Sequence, residues 1–523
     1  MNTAAIKILR DGSCFIFLAA LCVSCSANKI EDTRNVGGQE QPAFTDTATA
    51  ISPSPTPSVV LGHESTSSQV GESELPSFVA SASFNSFEKI DRDLTIAVSS
   101  STIVVASNNG AMIIDKSGNI ISQVDNLSSL ALNSSQSESL FDPEVYYDQV
   151  SGRFFFYFVG VVFGADCSNV GTCPSKIYVA VSKTENPQSF SSADWHFYSM
   201  DATLDNEVQT SNWADLPLMT MTEEQLIFSM TMFGPDIPEG RYTKIRLVPK
   251  LPLLNGEGVT KWTDLLIQTT EIVRPVMSPT ETSPIFLMSR AEGCGFLIWE
   301  IVDSFTSPSL LSKDIPAEGL CEEPPPANQL GGPYLLRTSN PNFPRSPVYQ
   351  DGSIWVAYMI AVGDESNQTS GIRWAEIDIR NWPSSVSWIQ DAVYYEEESS
   401  FSYPAITVNS SGDLAVVFQK SSSSEYLSLY FAGRLSSDPL NTLRPATCVR
   451  SGQEYLASPT TDEKGNPYLD FIEIALDPSD ESAWMAGTYA FDRYGVGAWI
   501  SRMDWETLED YDQTQIDRVI TCQ

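Results

Sequence analysis

A two-strand unit returns seven times along this chain, and that repetition constrains the fold more than any other feature. Each unit opens on a short strand candidate, passes a polar turn and enters a strongly apolar strand. The units are RDLTIAVSSSTIVVAS from Arg92, DPEVYYDQVSGRFFFYF from Asp142, DLPLMTMTEEQLIFSM from Asp215, RPVMSPTETSPIFLMS from Arg274, RSPVYQDGSIWVAY from Arg345, YPAITVNSSGDLAVVF from Tyr403 and DFIEIALDPSDESAWMAGTYA from Asp470. They recur roughly every 50 to 75 residues, a period typical of arrays built from one supersecondary unit. A third strand candidate often follows, as in KIYVAVS, GFLIWEIV, GIRWAEIDI, YLSLYFAGR and GAWISRM, and often a weaker fourth. Four antiparallel strands repeated seven times predict an all-β chain folded as a seven-bladed β-propeller, with six or eight blades as the neighbouring solutions.

The turns have a mechanical basis. D-x-x-S-G, N-S-S-G and Q-D-G supply glycine and residues that tolerate the left-handed region where a hairpin reverses. Phe154 to Phe158 and Leu414 to Phe418 are continuous apolar runs, which suits strands covered on both faces. A two-sheet sandwich array is the competing architecture. A steady repeat without a linker-like break from Phe78 to Cys522 favours the ring, with residues 77–523 as one domain. Ring closure then falls either to FVASASF from Phe78 or to the terminal DRVITCQ.

Upstream of the repeat the text changes character. Lys7 and Arg10 precede an apolar run from Ser13 to Val23, about half the length that spans a bilayer. This is the layout of a secretory signal over residues 1–24. Leu21-Cys22-Val23-Ser24-Cys25 resembles a bacterial lipoprotein box, with Cys22 where such boxes usually carry leucine and Cys25 as the lipidated residue. Cys22 is the second candidate but follows the bulky Leu21, and an ordinary cleaved signal is the alternative. Residues 25–76 are rich in Ser, Thr, Pro and Glu and cannot bury enough apolar surface to fold. They read as a disordered tether, kept extended by Pro53, Pro55 and Pro57. The expectation is an exported protein of the cell envelope or cell surface, with the membrane as a partner through the lipid anchor.

Composition narrows the function. Acidic residues number 66 against 30 basic ones, a net charge of −36, which repels phosphate and excludes nucleic acid as a partner. Two histidines, His63 and His196, leave no His-rich zinc site or histidine-based triad to assemble, and no metal site is assigned. Six cysteines lie beyond the signal: Cys167, Cys173, Cys294, Cys321, Cys448 and Cys522. An even set suits disulfides in an oxidising compartment. Six cysteines allow 15 pairings; pairing in chain order is the simplest and would staple the chain end through Cys448 and Cys522.

FDPEVYYDQVSGRFFFYF, WADLPL, RSPVYQDGSIWVAY, GIRWAEIDI, YPAITVNSSGDLAVVFQKSSSSEYLSLYFAGR and DPSDESAWMAGTYA with GAWISRM resemble a family of secreted bacterial propellers grouped loosely with sialidase-like and BNR-repeat folds. The resemblance covers most of Asp142 to Met503. It implies the fold and the exported location and carries no activity.

Propeller ligands usually sit over the channel mouth, near the starts of the innermost strands. Those starts place Arg92, Asp142, Asp215, Arg274, Arg345, Tyr403 and Asp470 in a ring. Arginines, carboxylates and a tyrosine around one cavity are a composition that sialidases use, the arginines holding a substrate carboxylate and the tyrosine acting as nucleophile. The structural alternative is a salt-bridge ring, each arginine paired with an aspartate of a neighbouring blade. It is favoured because the S-x-D-x-G-x-x-W box is absent from every hairpin and no Arg-Ile-Pro segment opens the first blade. The turns DKSGN, DEKGN and DPSDE offer hard oxygens to calcium without matching a D-x-D-x-D-G loop, so no cofactor is expected beyond that calcium candidate. Trp213, Trp374 and Trp499 are candidates for stacking on sugars, although propeller tryptophans mostly pack between blades. The function expected is a monomeric, non-catalytic surface module for a protein or glycan ligand, with an extracellular sialidase-like glycosidase as the alternative.

Overall fold

The computed structural model describes residues 75–507 apart from 91–92, 164–173, 235–240, 260, 279–283, 292–293, 318–321, 339–343, 365–366 and 458–470. Cys25, the tether through residue 74, Arg92 and Asp470 lie outside the described residues. Seven four-stranded antiparallel sheets, all within the unit spanning residues 53–523, form a seven-bladed β-propeller. Blade 1 runs from inner strand Thr95–Val98 to outer strand Ile120–Val124, blade 2 from Ser139–Asp148 to Trp195–Asp201, and blade 3 from Trp213–Met221 to Thr263–Ile267. Blade 4 runs from Arg274–Pro275 to Ser309–Ile315, blade 5 from Val348–Gln350 to Ser387–Tyr394, and blade 6 from Ser399–Val408 to Thr447–Arg450. Each of the seven sequence units supplies the first two strands of one blade. The described helices are one turn at Lys250–Leu254 and a 3-10 turn at Leu127–Ser129.

Blade 7 closes the ring by combining the two ends of the fold. Its strands Glu473–Leu476, Ala483–Asp492 and Gly495–Thr507 are completed on the outside by Phe78–Ile90. Of the two segments that could have closed the ring, the one beginning at Phe78 does so; DRVITCQ lies outside the described residues. Phe78 is fully buried, edge-on to Trp505 at 6.1 Å. The Arg444 guanidinium lies 4.7 Å from the Phe78 ring centre while its Nε and Nη2 donate to Asp438 at 2.7 and 2.8 Å. Thr447 Oγ1 donates to the Phe78 carbonyl at 2.7 Å. Blade 6 thus grips the closing strand through both packing and hydrogen bonds.

The core is distributed among the seams. Seven hydrophobic clusters among the described residues each join two adjacent blades, including 7 with 1. Phe154 to Phe158 are fully buried because each face of their strand meets a neighbouring blade. Seams this close leave some positions no room for a side chain. A Cβ on Gly487 in blade 7 would sit 2.2 Å from Cδ1 of the buried Leu429 in blade 6. Gly487→Ala is expected to lower unfolding free energy by about 1 to 3 kcal/mol through overpacking, read from urea unfolding at neutral pH.

Candidate functional site

The inner strands enter the channel through a repeated distortion. Asp142, Leu216 and Tyr403 have φ of +51°, +48° and +50°, and each is followed by proline, at Pro143, Pro217 and Pro404. The strand register shifts at each point, between Phe141 and Glu144, Asp215 and Leu218, and Ser402 and Ala405. Proline has no N–H for the ladder, so the inner strand bulges there and the side chains after it are re-aimed. The bulge behind Pro143 delivers Glu144 to the channel.

Glu144 is the centre of a buried ionic plug. Arg345 Nη2 donates to Glu144 Oε1 at 2.7 Å, and Arg345 Nε reaches Glu473 Oε2 at 3.4 Å. Thr95 Oγ1 donates to Glu144 Oε2 at 3.1 Å, and Ser346 Oγ to Glu473 Oε2 at 3.1 Å. The Arg345 guanidinium also stacks over Phe471 at 4.0 Å from the ring centre. Blades 1, 2 and 7 and the segment entering blade 5 meet in this one cluster. Burial pushes the Glu144 carboxyl up to about 7, Arg345 pulling it back and Glu473 adding to the rise. Burial opposes the charge on Arg345, but the two carboxylates outweigh it and raise its pKa above the ordinary value.

Around the plug stand the other predicted ring residues. Asp142 Oδ2 and Asp215 Oδ1 both accept from the Leu216 N–H, at 3.1 and 3.0 Å. Burial is the main cause that lifts Asp215 to about 6. Asn108 accepts the Asp142 N–H at 2.8 Å and donates to Asp93 at 2.9 Å. Arg274 is buried with its guanidinium 5.7 Å from the Phe471 ring centre, and burial followed by repulsion from Arg345 lowers its pKa to about 9. The space lined by Asp93, Asp142, Glu144, Arg274, Arg345 and Phe471 is about 10 Å³, roughly one water.

Arg345, expected to pair with an aspartate of a neighbouring blade, pairs instead with Glu144 and Glu473. The missed residues, Glu144 and Glu473, left a signal, since each is a charged residue inside an apolar inner strand (EVYY, FIEIAL) and such a charge needs a counter-ion.

Over this cluster the chain lays its own cap. Ala327 and Leu336, from the segment joining blades 4 and 5, exchange backbone hydrogen bonds of 2.7 Å and are fully buried. They pack with Met359, Tyr403, Leu427, Leu456, Phe471 and Ala490. Gln329 clamps the Leu456 backbone, donating to its carbonyl at 2.9 Å and accepting its N–H at 2.7 Å. Tyr403 is only 5% exposed and edge-on to Phe471 at 5.6 Å. Among the described ring positions, Asp142, Asp215, Arg274 and Arg345 are brought together and Tyr403 packs above them, all beneath covering chain.

Beyond the plug the axis opens into a bore of about 130 Å³ to which all seven blades contribute. Ile96, Val98, Tyr146, Val348 and Ile406 form its walls, with Glu144, Glu473 and Ser346 at its plugged end.

Other candidate groups serve local structure. Asp115 Oδ1 accepts from the Ser117 and Asn119 N–H groups at 2.8 and 2.9 Å, shaping the DKSGN turn. In DPSDE, Asp477 binds Lys116 and Ser479, and Asp480 binds Ser482 and Arg502; DEKGN lies outside the described residues. Among the described residues no group of three His, Cys, Asp or Glu side chains converges to hold a metal. Trp374 is buried in the seam of blades 5 and 6, which corrects its candidacy for sugar stacking. Trp213 stacks on Phe233 at 5.2 Å, and Trp499 lies under Arg450 at 4.5 Å. Cys294 and Cys448 are each disulfide-bonded; Cys167, Cys173, Cys321 and Cys522 lie outside the described residues.

No protein-family model and no curated protein sequence matches the chain. Solved structures similar to it include Trypanosoma rangeli sialidase with the inhibitor DANA, at 7% identity and TM-score 0.34 over 81% of this chain and 60% of that one. NanB with Optactamide aligns at 9% identity and TM-score 0.39, over 77% of this chain and 83% of that one. Chaetomium thermophilum Raptor aligns at 9% identity and TM-score 0.39, over 83% and 29%. The chain spans about three fifths of the length of the sialidase it matches. At these values the likeness carries no activity to this chain.

Proposed function

We propose that this protein is an exported β-propeller, lipid-anchored through Cys25 on a Ser/Thr/Pro-rich tether, that binds a protein or glycan partner without catalysis. The observation that supports this reading is the filled mouth. A sialidase-like site needs arginines free to take a substrate carboxylate and a tyrosine open to the reacting carbon. Here Arg345 is engaged by Glu144 and Glu473, Tyr403 is buried against Phe471, and the cap of Ala327 and Leu336 occupies the place of a ligand. The cap's outer side presents Tyr334 and Leu335, 42% and 40% exposed, and aromatic side chains of this kind suit recognition surfaces. Disulfides in chain order, Cys167–Cys173, Cys294–Cys321 and Cys448–Cys522, belong to the same proposal of an oxidising compartment.

Cys25→Ser tests the anchor and provides the reagent for the rest. The variant is expected in the soluble fraction, and persistent membrane association would remove the lipid from the account. The soluble chain is then screened on glycan and protein arrays and against chromogenic glycosides. Saturable binding with no turnover is the expected result. Turnover that disappears in Tyr403→Phe would establish the hydrolase instead.

A further inference from the structure

The bore on the far side of the plug has a chemistry of its own. Its volume, about 130 Å³, is close to that of a protein cavity known to accept a six-carbon ring. Ile96, Val98, Val348 and Ile406 give it apolar walls, while Tyr146, Ser346 and Ala475 are half-buried where they line it. Its plugged end holds the carboxylates of Glu144 and Glu473 and the Arg345 guanidinium, with the buried Arg274 near enough to act on Glu144. An ionised carboxylate offers about four acceptor positions. Glu144 uses two of them, for Arg345 and Thr95. Glu473 has Ser346 at 3.1 Å, the Ile474 N–H at 3.2 Å and Arg345 at 3.4 Å. Among the described residues, acceptor positions on Glu144 and Glu473 exceed the donors that reach them, and above about pH 7, where Glu144 is ionised, the carboxylates of the cluster outnumber the guanidiniums of Arg345 and Arg274.

We propose that the axial bore binds a small primary alkylammonium cation, its N–H groups on Glu473 and Glu144 and its hydrocarbon body along Ile96, Val98, Val348 and Ile406. An ammonium brings three donors on a compact charge, matching acceptors that converge from two blades. A bare divalent ion needs six or more oxygens, and the apolar walls give none. A neutral alcohol of equal length fills the walls but leaves the charge unanswered, and an alkyl carboxylate is repelled. The chain's net charge of −36 raises the local concentration of any cation. This site lies on the opposite side of the plug from the cap, so it neither requires nor supports the surface-binding role proposed above.

The test titrates n-pentylammonium, n-pentanol and n-pentanoate into the full chain by calorimetry at low salt and pH 8.5, where Glu144 is ionised. The cation is expected to bind with a Kd below about 1 mM, and the alcohol and carboxylate at least about tenfold more weakly. Glu473→Gln keeps the volume and is expected to weaken the cation about tenfold. Ala475→Leu fills the bore and is expected to abolish binding with the carboxylates intact, and circular dichroism checks the fold of both variants. Should either variant fail to fold, Thr407→Leu narrows the same bore from blade 6. Equal affinity for the alcohol, binding untouched by the filling variants, or no heat from the cation up to about 20 mM would each overturn the proposal.

Discussion

Arg345→Ala is expected to lower the unfolding free energy by about 3 to 5 kcal/mol at pH 7.5, the usual cost of removing one partner from a buried ion pair. Arg345 is 6% exposed and is shared by two carboxylates from different blades, Glu144 at 2.7 Å and Glu473 at 3.4 Å. Without it both carboxylates remain in the channel facing one another, and Phe471 loses the guanidinium stacked on it. Lysine should restore under half of the loss, because a point charge cannot bridge both carboxylates and also lie flat on a ring. Acidification should rescue the alanine variant in part, since Glu144 can take a proton in place of its counter-ion. Urea unfolding followed by tryptophan fluorescence at pH 7.5 and 5 measures all three. A loss under about 1 kcal/mol at pH 7.5 would mean that the plug is incidental to the ring.

The importance of this one arginine follows from how the ring is built. Six blades are continuous in chain order and only the seventh is assembled from both ends. Each seam has its own apolar cluster, and each cluster joins only two neighbouring blades. Among the described residues, the plug and the cap tie non-adjacent blades. Gln329 on the segment between blades 4 and 5 holds Leu456 between blades 6 and 7, while Arg345 at the entry to blade 5 holds Glu144 in blade 2. A defect at a seam, such as that expected of Gly487→Ala, disturbs two blades. A defect at the plug disturbs four.

Most of the scaffold was legible because its signals are local. Apolar runs such as IWVAY or LAVVF, bounded by D-G or S-G, announce a hairpin wherever they occur, and all seven became the first two strands of a blade. The inner-strand bulges fall at Asp142-Pro143, Leu216-Pro217 and Tyr403-Pro404, where a strand cannot continue its ladder. What those residues face was not legible. The left-handed bulges at Asp142, Leu216 and Tyr403 decide which side chain turns inward, and alternation along EVYY or FIEIAL cannot tell inward from outward once a register shift intervenes. The cap was hidden for a different reason. PPPANQLGG has turn composition and no periodicity, so nothing in it distinguishes an exposed loop from one that buries Ala327 and Leu336 over a channel. Its burial depends on Tyr403, Leu456 and Phe471, far away in sequence.

The plug also sets how stability responds to pH. Glu144 titrates near 4.5 when unfolded and at about 7 when folded, so between those values the folded protein holds the extra proton. Stability must then fall as pH rises through that window, with the ionisation cost fully present above about pH 7 and absent below about 4.5. Asp215, raised from 3.8 to about 6, acts in the same direction. Asp378, Asp438 and Asp477 have lowered pKa values and oppose only below their unfolded value of 3.8. His196, lowered by burial and then by Lys183 and Arg153, opposes below about 6.5, but it is half-exposed and its share is small. The wild type should therefore be most stable near about pH 5 and lose stability toward pH 8. Glu144→Gln keeps the size and an acceptor for Arg345, leaves a one-to-one pair with Glu473, and cannot ionise. It is expected to be about 1 to 3 kcal/mol more stable than the wild type at pH 8 and nearly equal at pH 5. Urea midpoints at pH 5, 6.5 and 8 for both proteins decide the matter. A wild type that gains stability toward pH 8, or a Gln variant with an unchanged slope, would show that the carboxylate at the centre of the ring is kept ionised at no cost.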